Sequence, residues 1–247
     1  MRPVNEDAFL NTSFRRTGER RLRDRLWAVA DGMGGHERGR EASSLACRGL
    51  QDFFAHQPPD PQDCSVRALS RHLAATVLRV DRLVRQRAAA RPSLAHMGTT
   101  LSCLVLADGH SIIAHVGDSR IYRWRKGHMT CLTTDHTFVQ EMIFEGEVDP
   151  SQAHRHPMRH LLTNAVGTAE PLYQVDERID RIQVGDRFLL CTDGLTNALD
   201  DERLAAALEI DKHPAGIAAG LVGAALDRDA RDNVTALVVE LERGGVR

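Results

Sequence analysis

Four aspartates stand at the edges of apolar runs, where carboxylates can gather a hard divalent cation. They are Asp31 in VADGMGGH, Asp118 in HVGDSR, Asp193 in LLCTDGL and Asp232 in RDNVT. Residues 26–30, 112–116 and 188–191 read as buried strands running into the first three, and 234–241 reads as a strand leaving the fourth. A carboxylate at a strand end, followed by a small residue, sits at the rim of a sheet with its oxygens free. Several such rims converging would make an oxygen-lined pocket. Two ions about 3.5–4 Å apart need a bridging carboxylate and several terminal oxygens. Asp31 can bridge, with the Gly32 carbonyl beside it, and Asp193 and Asp232 can complete the second shell. Without a Cys or His ligand set the pattern favours Mg²⁺ or Mn²⁺ over zinc. Ions so held activate a water and neutralise phosphate charge, which is the chemistry of phosphoester hydrolysis.

A second group lies near the start, in Arg2-Pro-Val-Asn-Glu6-Asp7. An arginine fork suits a phosphate monoester through paired hydrogen bonds. Glu6 and Asp7 could hold metal-bound waters.

These residues need elements to position them. Residues 4–10 and 26–30 read as strands, and 41–57 shows helical spacing that Pro58, Pro59 and Pro61 break. A second helix is expected over 66–90, with its arginines on a solvated face. Residues 99–106, 111–116, 120–125 and 128–132 read as one antiparallel meander, turning at Asp108-Gly109 and Lys126-Gly127. Short helices are expected over 135–163, where His136, His154, His156 and His160 form no spaced metal tract. Strands follow at 172–179 and 186–192, helices at 201–209 and 214–226, and a last strand at 234–241. Strands and helices in separate blocks favour an α+β sandwich over a doubly wound sheet. A single domain spanning 1–247 is the simplest organisation.

Composition removes several classes. With 32 Lys and Arg against 34 Asp and Glu, the net charge is −2, unlike a general nucleic-acid binder. The exception is residues 15–25, where six arginines meet only Glu19 and Asp24; this reads as a solvated hairpin tip, with docking of an acidic partner as the alternative. Five widely spaced cysteines without a CxxC pair read as reduced thiols. No apolar run reaches 18 residues and no signal-peptide core precedes the first strand. A cytoplasmic protein, free of membrane and nucleic acid, is expected.

The segments NEDAF, DGMGGH, MGTT, VGDSR, TDH, TDGL and RDNVT occur in the order and rough spacing of the PPM/PP2C family of metal-dependent protein serine/threonine phosphatases. The chain resembles that family from Arg2 to about Leu241, and is most similar to its short stand-alone bacterial members. The resemblance implies a β-sandwich of two antiparallel sheets flanked by helix pairs, with the metal centre at one edge. It implies two to three Mn²⁺ or Mg²⁺ ions. Asp31 matches the bridging ligand and Gly32 the carbonyl ligand. Asp193 and Asp232 match the other direct ligands, Glu6 and Asp7 the acids acting through water, and Arg2 the phosphate-binding arginine. Asp118 matches the ligand of a weaker third metal, shared with Asp193. Thr99, Thr100, Ser119 and Arg120 match positions of structural character, and Asn233 is expected to orient Asp232.

The implied activity is hydrolysis of phosphoserine and phosphothreonine by in-line attack of a metal-bridging water, without a phosphoenzyme. The substrates would be phosphoproteins of a bacterial Ser/Thr kinase, and the enzyme a monomer. A mobile flap is implied over about 137–159, where Glu141, Glu145 and His154 could meet substrate. One departure concerns the proton donor: Met33 stands where many eukaryotic members carry His, and His36 is the nearest substitute. Two other readings compete. A regulatory pseudophosphatase would bind phosphoproteins without turnover, but should have lost Asp31, Asp193 or Asp232, and all are present. A hydrolase of small phosphoesters would keep the same centre.

Overall fold

Strand alternation sets the layers. Leu26, Ala28 and Ala30 point into one core, while Trp27 and Val29 point into another on the opposite face. A computed structural model describes residues 4–15, 23–56, 65–228, 230–243 and 245–246. The chain opens with β1 (Ala8–Arg15), β2 (Arg23–Ala30) and the short β3 (Gly32–Met33). Helices α1 (Glu37–His56) and α2 (Val66–Ala90) follow, then β4 (Gly98–Thr99). Next come β5 (Leu101–Ala107), β6 (His110–Val116), β7 (Arg120–Arg125) and β8 (His128–Cys131). Helix α3 (Phe138–Phe144) and a 3-10 segment (Pro150–Arg155) precede β9 (Asp176–Arg181) and β10 (Arg187–Cys191). Helices α4 (Asp193–Ala198), α5 (Asp201–Glu209) and α6 (Pro214–Leu226) lead to β11 (Ala236–Glu242) and β12 (Gly245–Val246).

The strands form two five-stranded sheets, ordered β1-β2-β5-β6-β9 and β12-β11-β10-β7-β8, with β3-β4 as a separate ladder. All pairings are antiparallel. Between the sheets, Trp27, Leu104 and Ile113 pack against Ile121, Phe188, Leu190 and Val239. Leu50, Leu73, Val77 and Val80 of α1 and α2 cover the outer face of the first sheet. Leu195, Leu204, Ile217 and Leu221 of α4 to α6 cover the second. Helix, sheet, sheet and helix therefore stack as the expected α+β sandwich. With both faces of each sheet covered, strands such as β5 are buried at every position.

The expected meander over 99–132 is corrected. Its neighbours pair as read, β5 with β6 and β7 with β8. But β5 and β6 belong to the first sheet, β7 and β8 to the second. The chain changes sheets at residues 117–119, where Gly117 has φ +105° and a side chain would strike Thr100 Cβ at 2.6 Å. Local patterning specifies which neighbours pair, not which sheet they join. The two tight turns fall where read: Asp108 and Gly109 have φ 47° and 72°, Lys126 and Gly127 have φ 50° and 83°, as a type I′ turn demands. Residues 4–7, read as strand, lie before β1 and lead to the candidate site. Helix α4, six residues long, is too short to show a period in the sequence.

Among the described residues no helix is long and apolar enough to cross a membrane. Cys47, Cys103 and Cys191 are buried free thiols and Cys131 is an exposed one. Most of the arginine-rich tip, and Cys64, lie outside the described residues.

Candidate metal centre

Asp31 leaves β2, Asp118 leaves β6, Asp193 leaves β10 and Asp232 precedes β11. The first two strands belong to one sheet and the last two to the other. All four aspartates therefore meet at one edge of the sandwich, in a cleft of about 730 Å³ also lined by Gly32 and Met33. Residues 160–165 and 168–170 form its opposite wall. A neighbouring cleft of about 500 Å³ shares Asp118, His160 and Asp193 and is lined further by Arg120, Asp135 and His154.

The backbone under Asp31 is clamped from beneath. Its N–H donates to Thr100 Oγ1 at 2.8 Å, and its carbonyl accepts from Thr99 Oγ1 at 2.8 Å and Thr100 N–H at 2.9 Å. Thr100 Oγ1 meets Ser119 Oγ at 2.7 Å, and Ser102 Oγ donates to the Ser119 carbonyl at 2.7 Å. The hydroxyl residues of MGTT and VGDSR thus fix the acids' backbone. Arg120 grips Asp135 through both oxygens, at 2.9 and 2.7 Å. At Gly32 three backbone segments meet: a Cβ would lie 2.1 Å from the Gly39 carbonyl oxygen and 2.5 Å from that of Glu6, so only glycine fits.

The two neighbouring N-terminal acids part company. Glu6 is buried at the start of α1, where Oε1 accepts from His36 N–H at 2.8 Å and its carbonyl accepts from Ser43 Oγ at 2.6 Å. A carboxylate there suits the positive end of the helix. Asp7 instead joins the aspartates: Oδ2 accepts from Thr192 Oγ1 at 2.9 Å and Thr235 Oγ1 at 2.7 Å. Asn233 contacts Asp232 through its backbone and takes a second partner through its side chain. Its side-chain oxygen accepts from Glu6 N–H at 2.9 Å, and only its backbone N–H reaches Asp232, at 2.8 Å. Arg2 lies outside the described residues.

The gathered charge is strained. Burial pushes the Asp31 carboxyl well above its usual range, and Asp7, Asp193 and Asp118 push it further. Burial and then Asp193 and Asp135 raise Asp118 likewise. Asp7 is raised to about 6, chiefly by burial, against hydrogen bonds from Thr235 and Thr192 and with repulsion from Asp193 and Asp232. Burial would raise Asp193 too, but contacts from His160, Asp31 and Asn197 outweigh it and hold this carboxyl low. Asp31 and Asp193 act on each other directly, and the effect runs in opposite directions: it raises Asp31 and lowers Asp193.

Two observations fit a divalent ion. Asp7 Oδ1 and Asp193 Oδ1 are buried oxygens without a hydrogen-bond partner. The donors are all oxygen, as Mg²⁺ and Mn²⁺ prefer. Among the described residues no three acid, His or Cys side chains already close on a metal-sized point. Hard dications complete their shells with backbone oxygen and water, and uncompensated carboxylates hold one another apart.

Several contributors carried no readable sequence signal. His160 Nδ1 lies 3.6 Å from Asp193 Oδ2, and Asn197 Nδ2 donates to the same oxygen at 3.0 Å. The buried Asp81 of α2 accepts from Gly167 N–H at 2.9 Å and so anchors the cleft wall from behind. Of the residues expected to meet substrate, His154 lines the smaller cleft, whereas Glu141 and Glu145 are exposed on and just beyond α3, outside both linings. His36 is exposed and likewise lines neither cleft.

Below the centre, His115 joins Ser102 Oγ at 2.8 Å and the Thr134 carbonyl at 3.0 Å. Burial, and then the neighbouring His136, push its pKa down to about 4. The unfolded chain, with a His pKa near 6.5, binds this proton first as pH falls. Stability from keeping His115 neutral is therefore complete above about pH 6.5 and is lost as pH falls towards 4, by about 3 kcal/mol. Denaturant midpoints between pH 7 and 4.5 should fall steeply in the wild type and less steeply in His115→Asn. Equal slopes would rule out this source.

The four-layer sandwich, with its acids gathered at one edge, can be compared with known proteins. The family model for protein phosphatase 2C matches residues 3–213. The chain belongs to the protein phosphatase 2C family. It is 37% identical over 223 residues to the serine/threonine protein phosphatase PstP of Mycobacterium tuberculosis, covering 88% of this chain and 40% of that protein. It thus spans less than half the length of that relative. A structure of Stp1, a serine/threonine phosphatase from Staphylococcus aureus, superposes with a TM-score of 0.86 at 28% identity, over 98% of this chain and 91% of that one. The catalytic domain of PstP, solved with two manganese ions, matches with a TM-score of 0.76 at 32% identity, over 96% of this chain and 98% of that one.

Proposed function

We propose that this chain, as one catalytic domain, hydrolyses phosphoserine and phosphothreonine in proteins. The observation that carries the reading is the meeting of Asp7, Asp31, Asp118, Asp193 and Asp232 in and beside one cleft, with buried carboxylate oxygens left without partners. Relatives named as serine/threonine phosphatases support it.

In this reading two to three Mn²⁺ or Mg²⁺ ions would be held by Asp31, the Gly32 carbonyl, Asp193 and Asp232, with Asp7 acting through water and Asp118 joining Asp193 for a third ion. Bound there, the ions would neutralise phosphate charge and supply an activated water. The chain's own part is positional. Thr99 and Thr100 fix Asp31, Thr192 and Thr235 aim Asp7, and His160 with Asn197 keep Asp193 ionised. Arg2 would pair with the phosphate oxygens. Glu6, bonded at the start of α1, serves the fold first. Residues 137–159 are the flap, and a bacterial Ser/Thr kinase supplies the substrates of a monomeric, cytoplasmic enzyme.

Turnover of p-nitrophenyl phosphate and a phosphothreonine peptide, each with and without Mn²⁺, tests the proposal. Metal-dependent release of phosphate from both is expected. No release from either would sink the enzyme reading, and release from the small ester alone would favour a small-molecule hydrolase.

A further inference from the structure

We propose that Phe138, Met158 and Leu161 form an apolar ledge at the cleft mouth that takes an aliphatic side chain flanking the phosphorylated residue of a protein substrate. The inference rests on the phosphatase reading above and adds the class of sequence preferred. These large apolar side chains are 39%, 46% and 54% exposed. Single exposed apolar residues are ordinary, but these are held together by the backbone. Phe138 N–H donates to the Leu161 carbonyl at 2.8 Å, and Leu161 N–H donates to the Met158 carbonyl at 3.0 Å. A bridge between Thr137 and Leu162 fixes the same junction.

The ledge meets the cleft at Leu161, which lines it, and the neighbouring His160 reaches to 3.6 Å from Asp193. Phe138 and Met158 lie beyond the lining and are tied to it through their backbone bonds with Leu161. An extended peptide advances about 3.3 Å per residue. A phosphoresidue seated over Asp193 therefore carries a side chain within two positions onto Leu161. The floor of the cleft is acidic and would take the phosphate through the cations proposed above, while the ledge offers apolar contact alone. A flanking Leu is favoured there, and a flanking Ser leaves the apolar surface wet.

The test compares kcat/KM on two phosphothreonine peptides that differ only in Leu or Ser beside the phosphoresidue. Wild-type enzyme should prefer the Leu peptide roughly tenfold, the effect of covering about half a large aliphatic side chain. Met158→Ser and Leu161→Ser should each cut that preference at least about threefold, and Leu161→Met should keep it. Equal rates on the two peptides, or an undiminished preference in both serine variants, would overturn the ledge. Loss of self-association in the serine variants, with peptide preference intact, would also overturn it by assigning the ledge to a second copy of this chain. Absence of turnover of both p-nitrophenyl phosphate and the peptides in the wild type sinks the phosphatase reading itself. Turnover of both peptides at equal rates sinks the ledge alone.

Discussion

Asp193→Asn is expected to lower kcat/KM on p-nitrophenyl phosphate by at least about a hundredfold, more than the loss typical when only an outer partner of a metal ligand is removed. The substitution keeps the shape and a carbonyl oxygen but removes the charge. Asp193 is one of two acids, with Asp118, shared by the two clefts, and the one that His160, Asn197 and Asp31 together hold ionised. Its Oδ1 is already buried without a partner, so the change removes affinity for a cation where the fold has left room for one. The fold should survive. Asp31 and Asp118 are both pushed up by the Asp193 charge, and its loss relieves them. A metal-free thermal midpoint close to wild type, with the activity gone, is the expected pair of results. Retention of more than a third of wild-type kcat/KM at saturating Mn²⁺ would remove Asp193 from the centre.

Mn²⁺ itself should stabilise the chain strongly. A ligand that binds only the folded state contributes about 2.7 kcal/mol at a hundred times its dissociation constant. For a chain of 247 residues that is a rise in thermal midpoint of roughly 5–10 °C. The sign follows from the electrostatics: carboxyls that repel one another and leave oxygens unbonded gain most from a dication. Scanning calorimetry with added Mn²⁺, then with a chelator, reads the rise and its reversal. Asp31→Asn should abolish most of the shift. A wild-type midpoint unmoved by millimolar Mn²⁺ would show that the acids gather for another reason.

Much of this was legible beforehand because the signals were local. An apolar run ending in Asp-Gly marks a strand that stops at a turn, whatever the remainder of the chain does. The α2 range was read residue for residue, because Ser65 caps its start and its apolar positions keep one face over seven turns. What the sequence left open was equally physical. Glu6 and Asp7 look alike in sequence, but successive residues of an extended chain point to opposite sides, and the neighbouring α1 claims Glu6. Asn233 does bond Asp232, through its backbone N–H, while its side chain spans to Glu6, 227 positions away.

By itself, then, the sequence determined which residues could bind a cation, which runs become strands and helices, and which neighbouring strands pair. Each of these depends on residue type and on spacing within one element. Only the tertiary structure decided the switch of sheets at Gly117, which carries Asp118 to the edge where β2, β10 and β11 deliver their own acids. It alone brought His160 to Asp193 and anchored the cleft wall on Asp81. Those contacts join distant segments, and long-range packing leaves no period or motif in either partner.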